Sequence, residues 1–255
     1  MVAGLIGELV PPDQPADALI LGFTMPDLSP GRATATYLSH VCPGNPMAFA
    51  ICDQGRAVGF TALRLTRDYA AADGWSRVLV AVAEQARLDY DPPATASVPA
   101  RHAAFAMLCD ASPVQAAPVA SGPVVSGPVA SGPALSSAGG APWLRAVRVC
   151  PAVPAEQVSA TLDRELSALE ELAEGTAGEA VGERRTLVLG EGLAPLIGNG
   201  VPGWRSILAL PGQPATGVWR ELATWAATPG GGDLTLADYD PALRYLCLAA
   251  FAKAG

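Results

Sequence analysis

A proline-spaced repeat in the middle of the chain sets the first limit on its fold. Residues 118–137 read PVASG, PVVSG, PVASG and PALSS in succession, with a proline at every fifth position. Proline at that spacing interrupts any helix, and the glycine and serine residues between the prolines supply no core. We therefore predict a flexible, mostly extended linker over residues 113–141, which separates segments 1–112 and 142–255.

Each of these two segments alternates continuous apolar runs with helical patterns. The runs predict strands at 17–23, 45–51, 77–84 and 102–109 in the first segment, and at 143–149, 184–190, 232–239 and 243–252 in the second. The helical patterns cover 30–42, 53–72, 154–175 and 215–228. Strands interleaved with helices indicate an α/β fold with mostly parallel, helix-covered sheets, and the similar order of elements indicates two related halves.

The predicted helix ends follow the usual preferences of capping residues. Pro30 lies near the first turn of one helix, Asp53 is placed as an N-cap, and Gly74 and Gly175 follow the ends of two others. The helix at 53–72 is apolar on nearly every face, so we expect it to be buried in a core that both halves share.

Composition excludes several classes of function. The net charge is −8 and Lys253 is the only lysine, which argues against nucleic acid or an anionic membrane surface as the main partner. No apolar run reaches the length of a membrane span, and no signal peptide is evident, so a cytoplasmic protein is expected. The five cysteines are scattered without a CxxC pair and only two histidines are present, so no metal site is predicted.

Cys52 is the candidate catalytic residue. It follows the apolar run at 47–51 and precedes the predicted helix, and the free N–H groups of a helix N-terminus favour a thiolate. The alternative is a small apolar residue that fills a corner. His40 and His102 are candidate bases for Cys52, although both are more readily explained as ordinary histidines, and Asp53 is more readily an N-cap than an acid or base.

The ordered set of motifs resembles the thiolase superfamily, and most of all the relatives of ketoacyl-acyl-carrier-protein synthase III. The similar stretches are TMPDLSPGRATATYL at 24–38, AICDQG at 50–55, RVLVAVAE at 77–84, and the segment 217–251. The resemblance implies thiolase-like, pseudo-duplicated αβαβα layers that are shortened at the N-terminus, with Cys52 as the nucleophile. It also implies an acyl-carrier-protein or coenzyme A thioester as substrate and no bound cofactor.

The second half departs from the family pattern at the two loops that carry its other catalytic residues. The histidine loop falls at 187–197, where Gly190 stands in place of the histidine, and no histidine follows His102. The asparagine loop falls at 211–217, where Gln213 or Thr216 is nearest. Decarboxylative condensation needs donors that stabilise an enolate and its oxyanion, so condensation is not expected.

Two further carboxylates lie where the family has a glycine-rich turn. Family geometry brings Asp238 and Asp240 toward the floor of the active site, where some acyltransferase relatives use a carboxylate in place of the asparagine. Their position just before Pro241 is better explained by turn formation.

Three functions remain open from the sequence. The first is a non-condensing ketosynthase III-like subunit of bacterial polyketide or fatty-acyl secondary metabolism, as a homodimer or paired with a ketosynthase-like subunit or an acyl carrier protein. The second is an acyltransferase that uses Cys52 to move an acyl group to an alcohol or amine. The third is a thioester-binding module without covalent chemistry.

Overall fold

In the computed structural model, two β-sheets enclose a pair of central helices. The structure describes residues 1–24, 33–92, 97–111, 142–174, 185–198, 200–228 and 232–253. The whole of the predicted linker at 113–141, together with Pro30 and Gly175, lies outside these residues, so the linker and the division at 112 and 142 remain predictions.

The helices and strands follow the alternation that the sequence predicts. The helices are α1 (Val2–Leu9), α2 (Thr34–Val41), α3 (Val58–Asp73), α4 (Val158–Glu174), α5 (Ala194–Ile197) and α6 (Gly217–Ala227). The strands are β1 (Ala18–Phe23), β2 (Met47–Ile51), β3 (Arg77–Glu84), β4 (Ala103–Asp110), β5 (Trp143–Cys150), β6 (Thr186–Leu189), β7 (Arg205–Leu208), β8 (Leu234–Asp240) and β9 (Tyr245–Ala252). Single 3-10 turns at Gly55–Ala57 and Ala155–Gln157 lead into α3 and α4.

The two sheets have the same connectivity. The first has the strand order β2-β1-β3-β4 and the second has the order β5-β9-β8-β6-β7. In each, three strands are parallel and the next is antiparallel, so β1, β2, β3 and β4 correspond to β6, β7, β8 and β9. The second sheet has one additional strand, β5, which pairs with β9; within the described ranges β4 has no such neighbour. The prediction of a pseudo-duplicated α/β fold is therefore confirmed.

The layers follow from strands that are buried on both faces. In β1, Ile20 points into the core between the sheets, whereas Leu19 and Leu21 point outward against α1 and α2. Helices α4 and α5 cover the outer face of the second sheet in the same way, and α3 and α6 lie between the sheets. Burial on both faces explains why the strands read as continuous apolar runs.

The central core contains residues from both halves, as predicted. Helix α3 packs against β1 and β3 of the first sheet and against β5 and β9 of the second. Phe60 from α3 lies against Trp219 from α6, with ring centroids 5.0 Å apart, and Phe105 stacks on the same tryptophan at 5.7 Å. Both Phe60 and Trp219 are completely buried.

The structure corrects two expectations about α3 and confirms a third. Asp53 is not an N-cap: the 3-10 turn separates it from α3, and its φ of 59° lies outside the helical region. The helix is buried in its first turns only, and its last turn is exposed, so it is not apolar on every face. Gly74 does end the helix, with a left-handed φ of 71°.

Three short elements were not predicted. Helix α1 has eight residues, and both α5 and β7 have four, which is too short for a periodic pattern to stand out from the surrounding glycine and proline residues.

Gly59 allows α3 and α6 to approach each other closely. A Cβ atom at Gly59 would lie 2.5–2.6 Å from three atoms of the Trp219 indole ring, which is well inside van der Waals contact. Both the helix backbone and the indole are held by the surrounding core, so neither has room to move away.

We expect Gly59→Ala to lower the free energy of unfolding by about 1–3 kcal/mol, because the new methyl group overpacks the helix contact. Gly7→Ala in α1 is the matched control, since a Cβ there meets no atom within 4 Å. The control should be neutral or stabilising by up to about 1 kcal/mol through helix propensity. Urea denaturation of both variants provides the comparison, and equal stabilisation by the two substitutions would contradict the packing described here.

Candidate active site

Cys52 lies directly after β2 and is exposed to solvent. Its Sγ donates a hydrogen bond to Asp53 Oδ2 at 3.4 Å, and within the described ranges it has none to a histidine. The chain turns at Asp53 and passes through the 3-10 turn before α3 begins at Val58. The predicted placement of Cys52 at the N-terminus of the helix is therefore wrong, because the turn separates the thiol from the start of α3.

The surroundings of Cys52 favour the thiol over the thiolate. Partial burial raises the pKa of Cys52, and both the hydrogen bond to Asp53 and the negative charge of that carboxylate raise it further. The expected decrease of the pKa by a helix terminus is thus not found. Cys52 is the most exposed of the five cysteines, since Cys42, Cys109 and Cys247 are buried and Cys150 is only partly exposed.

The residues at the start of α3 are held by a carboxylate from the second half. Asp240 Oδ2 accepts a hydrogen bond from Arg56 N at 2.9 Å, while its Oδ1 accepts from Ala242 N and Leu243 N. A Cβ atom at Gly55 would lie 2.0 Å from Asp240 Oδ2, so only glycine fits there. Asp240 is therefore a turn former, as expected, and also joins the two halves.

The Arg56 side chain runs between the halves and interacts with the acidic residues Glu84, Glu191 and Asp238. Its Nη1 lies 3.7 Å from Glu191 Oε2, and its Nη2 donates to Ser97 Oγ at 3.4 Å. Both Nε and Nη1 are buried without a hydrogen-bond acceptor. A Cβ atom at Gly192 would lie 3.0 Å from the Arg56 side chain, so the absence of a side chain at Gly192 makes room for the arginine.

Asp238 is the most perturbed acid of this region. It is 2% exposed, and its Oδ1 accepts hydrogen bonds from Tyr239 N and Gly192 N. Burial raises its pKa to about 7, although the charge of Arg56 and the two N–H groups oppose that increase. The residue is not a turn former, because it lies inside β8.

Gly190 leaves no room for a side chain beside Asp238. A Cβ atom at Gly190 would lie 2.1 Å from the Asp238 carboxyl carbon. The loop position at which the resemblance places a histidine is therefore closed by a carboxylate.

Glu84 connects the end of β3 in the first half to the loop that precedes α6 in the second half. It is the last residue of β3, is completely buried, and accepts hydrogen bonds from Ala215 N at 2.7 Å, from Thr216 N at 3.1 Å and from Thr216 Oγ1. Burial raises its pKa, whereas these bonds and the charge of Arg56 oppose the increase. Glu84 thus fixes the loop that precedes α6, which is the loop predicted to carry Gln213 and Thr216.

The Arg56 cluster, which we define as Arg56, Glu84, Glu191, Asp238 and Asp240, occupies the region where the loops of the two halves meet. The sequence drew attention to Asp238 and Asp240 but not to Arg56, Glu84 or Glu191. The sequence did contain a signal for Glu84, because it ends an otherwise apolar strand. A carboxylate is rarely buried unless it has a partner, so its position indicates a buried interaction. Within the cluster, Asp238, Asp240 and Glu84 accept hydrogen bonds from main-chain N–H groups, and Glu191 pairs with Arg56. Both Glu84 and Asp238 are buried.

No protein-family model matches the sequence, and no curated protein matches it either. Solved structures do match. The tetronic acid condensing enzyme AbyA1 is 17% identical with a TM-score of 0.60, over 93% of this chain and 78% of that one. The 3-oxoacyl-[acyl-carrier-protein] synthase III of Aquifex aeolicus VF5 is 12% identical with a TM-score of 0.60, over 94% of this chain and 78% of that one. A variant of OleA from Xanthomonas campestris, solved with lauric acid and lauroyl-CoA, is 14% identical with a TM-score of 0.57, over 93% of this chain and 76% of that one.

The chain has the thiolase-like fold. The fold predicted from the motif order is confirmed, and the chain spans about four-fifths of the length of the first matched structures. At these identities the likeness establishes the architecture, so the assignment of Cys52 as a nucleophile remains a prediction.

The remaining candidate residues are not members of the cluster. His40 is in α2 and exposed, and His102 Nδ1 accepts a hydrogen bond from Ala86 N, two residues after the end of β3. Gln213 is buried in the loop that Glu84 holds. Across the described residues, no group of three or more histidine, cysteine or acidic side chains could bind a metal ion. None of the described helices combines the length and apolar character that crossing a membrane requires.

The raised pKa of Asp238 predicts a specific dependence of stability on pH. The unfolded carboxyl ionises near its ordinary pKa of 3.8, whereas the folded one keeps its proton up to pH about 7. The contribution of this group to the free energy of unfolding therefore decreases as the pH rises through that interval. We expect Asp238→Asn to be more stable than wild type at pH 7.5, by up to about 4 kcal/mol, with the difference vanishing below about pH 4.

Urea denaturation across this pH range measures the effect, with Asp68→Asn as the control. Asp68 is a half-exposed carboxylate on α3, so its replacement removes one acidic group without disturbing the core. Parallel pH profiles for wild type and Asp238→Asn would show that Asp238 is ionised in the folded protein.

Proposed function

We propose that this protein is a ketosynthase III-like subunit that does not catalyse condensation. It acts in the cytoplasm of a bacterium, in polyketide or fatty-acyl secondary metabolism, as the partner of a ketosynthase-like subunit or of an acyl carrier protein. The observation that carries the proposal is the Arg56 cluster, which fills the meeting point of the two halves with one guanidinium and four carboxylates.

Condensation needs hydrogen-bond donors that are free to stabilise an oxyanion. Three main-chain N–H groups of this region already donate to carboxylates: Arg56 N to Asp240, Gly192 N to Asp238, and Thr216 N to Glu84. A carboxylate in that position also repels a developing negative charge. These contacts favour a structural role for this region, in which it holds the two halves together, over a catalytic role.

Edge strand β2 supports the pairing with a partner. Among the described strands it pairs with β1 alone, and Met47 is 53% exposed on this strand. An edge strand offers unpaired main-chain groups to another chain, and exposed apolar side chains add contact area. A homodimer or a heterodimer with a ketosynthase-like subunit would bury this edge.

Acyl transfer through Cys52 is the second candidate function. The exposure of Cys52 favours it, because an acyl donor such as an acyl-carrier-protein or coenzyme A thioester can reach the thiol. The raised pKa of Cys52 limits the thiolate fraction at neutral pH, so any acylation should be slow.

Incubation of the purified protein with acyl- and malonyl-thioesters tests both functions. We expect no ketoacyl product and no malonyl decarboxylation above the uncatalysed rate, because the main-chain N–H groups of Arg56, Gly192 and Thr216 already donate to carboxylates. Intact-protein mass spectrometry then reports acylation of wild type, of Cys52→Ala, and of Cys150→Ala as the matched control.

Turnover to a ketoacyl product would refute the proposal. Slow acylation that disappears in Cys52→Ala and persists in Cys150→Ala would favour the acyltransferase. No acylation of any variant, with no product, is the result expected of a non-condensing subunit.

A further inference from the structure

An apolar groove follows the edge of β4 that pairs with no other described strand. Its volume is about 530 Å³. Residues 105–110 of β4 line it together with Leu222, Ala223 and Ala226 of α6, and the lining also includes Leu63 of α3, Leu144 of β5 and Phe251 of β9. Consecutive β4 residues, which point to opposite faces of the sheet, all line the groove, so it lies along the edge of the strand and not over one face.

The second half shows what occupies the corresponding place there. Strand β5 pairs with β9 in antiparallel orientation and packs against α3. In the correspondence between the halves, β9 matches β4 and α3 matches α6. The groove between β4 and α6 therefore has the same position in the first half as β5 has in the second.

Strand β9 is more buried than the matching strand β4, as expected if β5 covers β9 and no strand covers β4 in the described part of the chain. Seven of the eight residues of β9 are buried, whereas Cys109 is the one fully buried residue of the eight in β4. The edge of β4 also presents main-chain N–H and C=O groups that pair with nothing on that side in the described part of the chain.

We infer that this groove binds an extended strand of another polypeptide, antiparallel to β4 and apolar at alternate positions. The main-chain groups of β4 would form the ladder, and the small side chains Ala223 and Ala226 would leave room for the inserted side chains. This inference depends on the geometry of β4 and α6, and it is independent of whether the protein catalyses a reaction.

Two other occupants fit the groove less well. An acyl chain would fill the apolar volume but would leave the main-chain groups of β4 unpaired. The repeat at 118–137 has a proline at every fifth residue, and each proline removes the N–H group that a ladder needs.

A peptide with the sequence of β5, residues 143–150 with Cys150→Ser, is the probe, because β5 fills the equivalent place. We expect it to bind the 255-residue chain and to slow amide hydrogen exchange in β4 at least tenfold. Ala226→Phe should weaken binding at least tenfold by filling the groove, and Ala223→Phe on the same wall is the second blocking variant. Thr224→Phe is the matched control, since Thr224 lies on α6 outside the groove and should bind the peptide as wild type does.

Several results would overturn the inference. One is binding without protection of β4; another is equal binding by a peptide whose alternate amides are N-methylated, which would indicate a site for apolar ligands. Protection of β4 that grows with protein concentration in the absence of peptide would instead identify a second copy of this chain as the occupant. Unchanged binding by both Ala226→Phe and Ala223→Phe, with melting temperatures near that of wild type, would place the peptide elsewhere.

Discussion

Each central helix begins at buried N–H groups whose acceptor is a carboxylate from the opposite half. Glu84, the last residue of β3, accepts from Ala215 N and Thr216 N just before α6. Asp240, the last residue of the matching strand β8, accepts from Arg56 N just before α3. A helix N-terminus in a core needs such acceptors, because a buried donor without one costs about 1–3 kcal/mol. The exchange makes each half a structural requirement of the other, so the protein should fold as one unit even though its connectivity is duplicated.

The same exchange determines what the meeting point of the halves can do. The N–H groups of Arg56 and Thr216 already serve carboxylates, and Arg56 balances part of the acidic charge. Asp238 lies beside Gly190, and burial raises its pKa to about 7. The accessible features lie elsewhere: the Cys52 thiol after β2, and the free edges of β2 and β4. A protein built in this way is better suited to binding other chains than to condensing acyl groups.

The sequence predicts the strands well for a physical reason. Strands buried on both faces read as unbroken apolar runs, and the predicted bounds of β3 at 77–84 agree with the structure. The four residues of β7 were missed because so short an element has no period. The position of Cys52 was misjudged because a 3-10 turn and the positive φ of Asp53 leave little trace in sequence. The contact of Glu84 with Thr216 spans 132 residues, and no local pattern predicts a contact at that separation.

The free energy of unfolding of Glu84→Leu tests the central claim most directly, with Glu84→Gln measured alongside. Removal of the carboxylate leaves the N–H groups of Ala215 and Thr216 without an acceptor, so we expect a loss of about 2–4 kcal/mol in Glu84→Leu. Glu84→Gln keeps one acceptor oxygen and should lose less. Wild type should unfold in urea in a single transition when followed both by tryptophan fluorescence and by far-ultraviolet circular dichroism. A loss below about 1 kcal/mol in Glu84→Leu, or separate transitions for the two halves, would contradict the account.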